Sequence, residues 1–279
     1  MAAMASIETR NSIETRNSIE TRNSIETRNS KIALITGGSR GLGRNCAVNL
    51  ARRGVGVILT YHSHRDEAQS VVGEIKAAGG EAMALQLDTG DIASFDALAA
   101  DVRAALQDLW GRERFDFLVN NGGVGLAAPF AETTEAMFDQ LMRVHLKGVF
   151  FLTQKLLPLL SDGGRIVNIS SGLARFTHPG ASAYAVMKGG VEVLTRYLAK
   201  ELGTRGIAAN TVAPGAIETD FGGGIVRDNP VYNRNVANAT ALGRAGLPDD
   251  IGPMIANLLS EDNRWVNGQR IEVSGGAHL

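Results

Sequence analysis

The sequence predicts an α/β protein built on a doubly wound parallel sheet. Short apolar runs recur from residue 31 onward, and segments with helical spacing separate them. The first run opens into a glycine-rich loop and then a helix, the arrangement by which such sheets receive phosphate groups. Composition agrees: 44% hydrophobic residues, only 5% aromatic and 33 glycines describe a large aliphatic core with many tight turns. At 279 residues the chain can hold one large domain of this kind or two small ones.

The first strand is read at 31–36 (K-I-A-L-I-T), running into T-G-G-S-R-G-L-G at 36–43 and a helix at 44–53. Glycines let the backbone approach a pyrophosphate, and the helix amino terminus stabilises its charge. The ordinary alternative is a turn that only packs helix against strand. The second strand, 55–60, ends in Tyr61-His62-Ser63-His64-Arg65, with no carboxylate before Asp66. A site for NAD(H) often places an acid there for the ribose 2′-hydroxyl. Polar and basic groups at this end, with Arg40 in the glycine loop, would instead accept a 2′-phosphate, which favours NADP(H). His62, His64 and Arg65 could equally be a solvated helix start. No further ligand cluster supports a metal there.

A helix at 65–78 ends at Gly79-Gly80, and a third strand at 81–87 precedes Asp88. After a helix at 94–109, the strand 115–119 ends in N-N-G-G at 120–123. Asp88 and Asn121 then face the ligand groove or simply form turns. Residues 133–160 read as mostly helical and carry His145. The fifth strand, 165–170, leads to Ser171, and a helix follows with Tyr184 and Lys188. Val191, Leu194, Leu198 and Leu202 give that helix an apolar stripe for the core or a subunit interface. A sixth strand, 206–212, ends in Pro214-Gly215-Ala216-Ile217-Glu218-Thr219. Residues 221–246, with a glycine triplet at 222–224, read as a mobile lid. A helix at 248–260 and a strand at 269–273 complete the chain.

The chemistry concentrates in 171–188. Tyr184 and Lys188, four apart, share one helical face, and Ser171 lies at the carboxyl end of a strand, where open α/β sheets bind ligands. A tyrosine near its usual pKa of ~10 is a poor acid at neutral pH, but a neighbouring ammonium lowers it. Ser171 can donate a hydrogen bond to a carbonyl or a developing alkoxide. Taken alone, Tyr-x-x-x-Lys is equally a feature of any amphipathic helix.

Several classes are set aside. Twenty-eight basic against 29 acidic residues imply no broad basic face for nucleic acid. A single cysteine, Cys46, excludes an intramolecular disulfide and fits a reducing, cytoplasmic setting. No run of eighteen apolar residues marks a membrane span, and no secretory pattern is present. Residues 6–29 are four copies of S-I-E-T-R-N, with too few apolar groups for a core. Residues 1–30 are therefore expected to be a solvated, disordered tail, leaving 31–279 as the folded domain.

The motifs T-G-G-S-R-G-L-G, N-N-G-G, I-S-S, Y-A-V-M-K, P-G-A-I-E-T and V-S-G-G, in this order, resemble the short-chain dehydrogenase/reductase family, of the 3-oxoacyl-carrier-protein reductase type. The resemblance implies a single Rossmann-like domain with a seven-stranded parallel sheet, assembled as a homotetramer. It implies hydride transfer between NADP(H) and a carbonyl or secondary alcohol. In that scheme Tyr184 is the general acid, Lys188 binds the nicotinamide ribose and lowers the tyrosine pKa, and Ser171 orients the carbonyl. Gly37, Ser39, Arg40, Gly41, Leu42 and Gly43 line the phosphates, and Asp88 faces the adenine beside His62 and Ser63. Asn121 and Gly122 lie along the cofactor, and Pro214, Gly215, Ile217 and Thr219 meet its nicotinamide end. Two positions depart from the family pattern. Gly122 replaces an alanine, which would leave room beside the cofactor. His145 replaces an asparagine whose backbone carbonyl holds a water leading to the lysine; the histidine is then either a proton relay or a packing residue.

The expected substrate is a small-molecule ketone or a 3-oxoacyl thioester. The alternatives are a sugar or polyol oxidised in the reverse direction, and a low-turnover dinucleotide sensor.

Overall fold

The computed structural model describes residues 31–279, so the S-I-E-T-R-N repeats and the tail expected from them lie outside the described residues. Seven parallel strands form one sheet in the order β3-β2-β1-β4-β5-β6-β7. The chain runs β1 (Ile32–Ile35), α1 (Gly41–Ala51), β2 (Gly56–Tyr61), α2 (Arg65–Ala77), β3 (Ala82–Gln86), α3 (Phe95–Trp110), β4 (Phe115–Asn120). It continues with α4 (Glu135–Met142), α5 (Gly148–Leu156), β5 (Leu160–Ile169), α6 (Ser182–Glu201) and β6 (Ala208–Pro214). The short helices α7 (Ile225–Asp228) and α8 (Pro230–Asn238), then α9 (Pro248–Leu258) and β7 (Arg270–Val273), complete it.

β1 pairs with β2 on one side and β4 on the other. The chain therefore builds outward from β1 in one direction, then returns and builds in the other. The reversal opens a crevice past the carboxyl ends of β1 and β4, where such sheets bind ligands. Side chains alternate across the sheet, so Ala33 and Ile35 join the apolar layer under α1, α2 and α9, while Ile32 and Leu34 join the layer under α3 and α5. Because both faces are covered, β1 reads as an unbroken apolar run.

Beneath the crevice a buried polar ladder ties the strands to the helices. Asn120 Nδ2 donates to Asn168 Oδ1 (2.8 Å) and Thr153 Oγ1 (3.0 Å). Asn168 Nδ2 and Thr211 Oγ1 both donate to Thr195 Oγ1 at 2.8 Å, and that hydroxyl donates to the Val191 carbonyl. Ends of β4, β5 and β6 are thereby locked to α5 and α6, which bounds the motion of anything built on them.

Three elements differ from the sequence expectation. The helix expected over 133–160 is interrupted by a π-turn at Arg143–Lys147, which divides α4 from α5. β5 begins at Leu160, pairing with Phe115 before a register shift, although Ser161-Asp162-Gly163-Gly164 carries no strand pattern. The segment 221–246, for which no elements were expected, forms a 3₁₀ turn at Phe221–Gly224 followed by α7 and α8.

Candidate active site

The glycine loop is shaped by close backbone packing. Gly37 adopts φ +66°, and a Cβ there would stand 2.9 Å from the Gly122 Cα. Gly38 lies against Leu59, and Gly43 is buried against the Gly37 carbonyl and the Asn121 amide. Asn121 Nδ2 donates to the Thr36 carbonyl (2.9 Å) and the Gly37 carbonyl (3.1 Å). The backbone amides of Asn121 and Gly122 both donate to Thr36 Oγ1, at 2.9 and 2.8 Å. Asn121 therefore holds β4 to the loop. Gly122 does not leave open space: a methyl there would press on Thr89 at 3.2 Å and Thr36 at 3.3 Å, which corrects the expected gap.

These residues fit a dinucleotide phosphate group. The amino terminus of α1 has no side-chain cap and no acid in its first turn, so its amides and dipole are left for an external anion. Gly41, at φ +56°, brings the backbone to the surface there, and Thr219 lies 3.6 Å from where its Cβ would be. Arg40 is exposed, and its side chain has no partner among the described residues. Ser39 is buried in the loop, and Leu42 packs on the apolar layer behind it. At the far end, Asp88 accepts from the Gly90 amide (2.8 Å), and its other oxygen is 3.8 Å from His62 Nε2. Ser63 bonds His64 at the same strand end (3.2 Å). Across the crevice, Gly215 donates to Val273 (3.1 Å), following Pro214 at the end of β6. Ile217 bridges to Gly246, and Thr219 Oγ1 accepts from the Phe221 amide (3.2 Å). The predicted cofactor residues thus follow the carboxyl ends of β1, β2, β3, β4 and β6, along one edge of the sheet.

The three proposed reacting groups meet at the carboxyl end of β5. Ser171 caps the turn Gly172–Ala174, its Oγ accepting from the Leu173 amide at 3.2 Å. Its hydroxyl also faces the Tyr184 phenol, where it favours the ionised form. Lys188, one turn along α6, is buried, donates to the Ile169 carbonyl (2.7 Å) and lies 5.5 Å from the tyrosine ring centre. Burial pushes the phenol well above its usual range, and the Ser171 hydroxyl works against that rise. Burial also pushes the lysine down to about 7. Of the two influences on the phenol, burial is the larger cause and Ser171 the opposing one.

His145 sits edge-on to Tyr184, with ring centres 5.0 Å apart and planes at 89°. The π-turn carries it inward. Nε2 lies 2.8 Å from the Val124 carbonyl oxygen and 3.2 Å from the Val124 amide nitrogen, its role as donor or acceptor set by the tautomer. Nδ1 is buried and has no partner. Burial, then the charge of Lys188, pushes the ring down to about 3, so His145 is neutral at pH 7. Gly123 accommodates it, since a Cβ there would be 2.6 Å from His145 Cε1. His145 thus packs edge-on against the phenol from the π-turn, with Nδ1 facing inward unpartnered.

Two features were missed in the sequence. Arg270 on β7 donates to the Ser171 carbonyl (3.3 Å) and pairs with Glu192 (2.7 Å) and Glu272 (3.0 Å). Glu192 in turn accepts from Ser170 Oγ (2.7 Å). The backbone presenting Ser171 is thus clamped by the last strand, signalled only by the alternation Arg270-Ile271-Glu272. The second is Phe221, whose ring lies 5.9 Å from that of Tyr184. Among the described residues no cluster of three or more His, Cys, Asp or Glu side chains could hold a metal ion, and no helix is long and apolar enough to cross a membrane.

The family model described as enoyl-(acyl carrier protein) reductase matches residues 37–278. A 3-oxoacyl-[acyl-carrier-protein] reductase of Staphylococcus aureus is 34% identical over 252 residues, 90% of this chain and 99% of that protein. A probable tetrahydroxynaphthalene reductase of Zymoseptoria tritici is 34% identical over 258 residues, 88% of this chain and 94% of that protein. The angucycline C-6 ketoreductase LanV, solved with bound NADP, superposes with a TM-score of 0.84 at 36% identity, over 89% of this chain and 95% of its own. With the sheet order, the anion-ready helix and the serine, tyrosine and lysine in one place, these matches establish that the chain belongs to the short-chain dehydrogenase/reductase family of oxidoreductases.

Proposed function

We propose that the protein is an NADP(H)-dependent carbonyl reductase in which Tyr184 protonates the ketone oxygen. The observation that carries this reading is the convergence of Ser171, Tyr184 and Lys188 at the carboxyl-end edge of the same parallel sheet that carries the uncapped amino terminus of α1. When bound, the nicotinamide supplies the hydride. The first-turn amides of α1 hold the pyrophosphate, Arg40 takes the 2′-phosphate, and Lys188 binds the ribose hydroxyls. Ser171 holds the carbonyl oxygen against the phenol. The buried phenol is protonated at neutral pH, as reduction requires, and Ser171 works against the rise in its pKa that burial imposes; the buried Lys188 behind it replaces the proton. Reductase relatives, one of them solved with NADP, support this direction over oxidation of a sugar or polyol.

Purified protein mixed with NADPH and a panel of ketones should oxidise NADPH, and NADH should serve less well. Tight NADPH binding without turnover on any ketone would favour a sensor instead. We also infer a homotetramer. Phe150 and Phe151 on α5 and Val186, Val193 and Tyr197 on α6 are exposed apolar side chains available for self-association. Sedimentation equilibrium decides this, and a monomer at micromolar concentration would refute it.

A further inference from the structure

Aromatic residues are scarce in this chain, yet two of the five ring contacts among the described residues involve the Tyr184 phenol. His145 meets Tyr184, Tyr184 meets Phe221, and His178 meets Tyr232 at 6.5 Å. Phe176 covers Gly172, next to Ser171, and meets His278 at 4.5 Å. Away from these elements only Phe150 and Phe151 pair with one another among the described residues.

Phe221 is the ring with a free face. It is 47% exposed, although it stands 5.9 Å from the phenol, tilted at 54°. Its position is built rather than incidental. Gly222, Gly223 and Gly224 all take positive φ and fold the chain back directly after it. The Gly222 backbone seats so closely on Gly125 that a Cβ at Gly125 would lie 2.7 Å from it and 3.2 Å from the Phe221 ring. The Thr219 hydroxyl fixes the Phe221 amide. Beyond Gly125 a groove opens between two loops joined by the Ala128 amide and the Gly180 carbonyl (3.0 Å). Its walls include Ala127, Pro129, Phe130, His178 and Pro179, with no Lys, Arg, Asp or Glu among them. The nearest charges on the Phe221 segment are consumed locally, Arg227 pairing with Asp220 and Asp228. Nothing in these walls offers a cation to a phosphate-bearing carrier arm, whereas an open ring face beside the phenol suits a flat, neutral π-system.

We propose that the substrate is a neutral planar ketone, its carbonyl on or fused to an aromatic ring system, seated with one face against Phe221. This rests on the carbonyl-reductase reading. In the reaction a hydride from NADPH forms the new C–H bond, the carbonyl π pair moves onto oxygen, and the phenolic proton of Tyr184 forms the O–H bond. NADP⁺ and a secondary alcohol leave, and the tyrosine is reprotonated from solvent.

Binding and turnover test this separately. Calorimetric titration, with and without NADP⁺, should find 2-naphthol at least about tenfold tighter than cyclohexanol. Phe221→Ala should remove most of that difference, and Phe221→Tyr should retain it. Phe221→Leu, which keeps apolar volume without a π face, should behave as the alanine variant does and serves where Phe221→Ala lowers the melting temperature. Equal affinity for the two ligands, or variants that weaken both alike, would overturn the ring seat. In turnover, 2-tetralone should exceed the N-acetylcysteamine thioester of 3-oxobutanoate in kcat/KM, and the reverse order would also overturn it. Reduction of neither ketone would instead remove the carbonyl-reductase reading, while the titration still decides whether the ring seat exists.

Discussion

The two ends of the crevice are built by opposite means. At the β1–α1 end, shape comes from missing side chains: Gly37, Gly38 and Gly43 let backbone lie on backbone, and the groups facing the groove are amides. At the β5–α6 end, function comes from side chains taken out of water, with Tyr184, Lys188 and His145 all displaced from their ordinary titration ranges by burial. An added atom should break the first end, and a changed titration the second. Binding and chemistry should therefore fail independently.

The largest separation is expected from Tyr184→Phe. Loss of the proton donor should lower kcat about 10³-fold while the NADPH dissociation constant stays put. Turnover above about a tenth of wild type would place the proton donor elsewhere. Lys188→Met probes the stored electrostatic cost. The lysine's value falls from 10.5 to about 7 on folding, so below pH 7 the folded state holds a charge it would rather shed. That penalty is fully present below about 7 and fades as pH rises towards 10.5, so wild-type stability should climb over this window. Lys188→Met should be more stable than wild type by about 2–4 kcal/mol at pH 7, with the gap closing by pH 10 in denaturant titrations. A pH-independent gap would mean the ammonium is well solvated.

At the other end, Gly43→Ala forces a methyl onto the Gly37 carbonyl. It should cost about 1–3 kcal/mol of stability and weaken NADPH binding, and any turnover at saturating NADPH should persist. Arg40→Ser should weaken NADPH about tenfold and leave NADH unchanged, because its side chain is free of internal partners. The smallest effect belongs to His145→Asn, with kcat expected within about threefold of wild type, since a neutral ring makes no proton-transfer contribution to lose. Its signature is in stability. The ring must be neutral to fold, so wild type loses stability as pH falls from 6.5 towards 3, and the variant should not show that component. A kcat drop of a hundredfold would restore the relay.

Legibility in the sequence followed the same division. β1 and the glycine loop were readable because burial on both faces writes an unbroken apolar run, and because positive φ at Gly37 and Gly41 demands a particular residue type. Tyr184 and Lys188 were readable because helix geometry alone brings residues four apart together. The start of β5 was not, since Ser161 to Gly164 lie in the register shift between the pairings of Leu160 and Arg165, where no alternating side-chain pattern is imposed. Nor were the Arg270 clamp and the Phe221 ring, each of which meets the site through tertiary folding between distant segments. The π-turn was invisible because R-V-H-L-K has ordinary helical propensities, and the closeness of Gly148 to the Thr89 carbonyl appears only in three dimensions.

That turn couples length to phase. A π-turn holds one residue more than the α-helix it interrupts, and one residue of α-helix is a rotation of about 100°. Ahead of it, α4 sets the approach of His145 to the phenol; behind it, α5 drives Leu152 and Leu156 into the core. The two helices act as gears meshed at a single tooth. Swapping residues within 143–147 leaves the mesh intact, but deleting any one of them must turn either the histidine away from the site or the leucines out of the core.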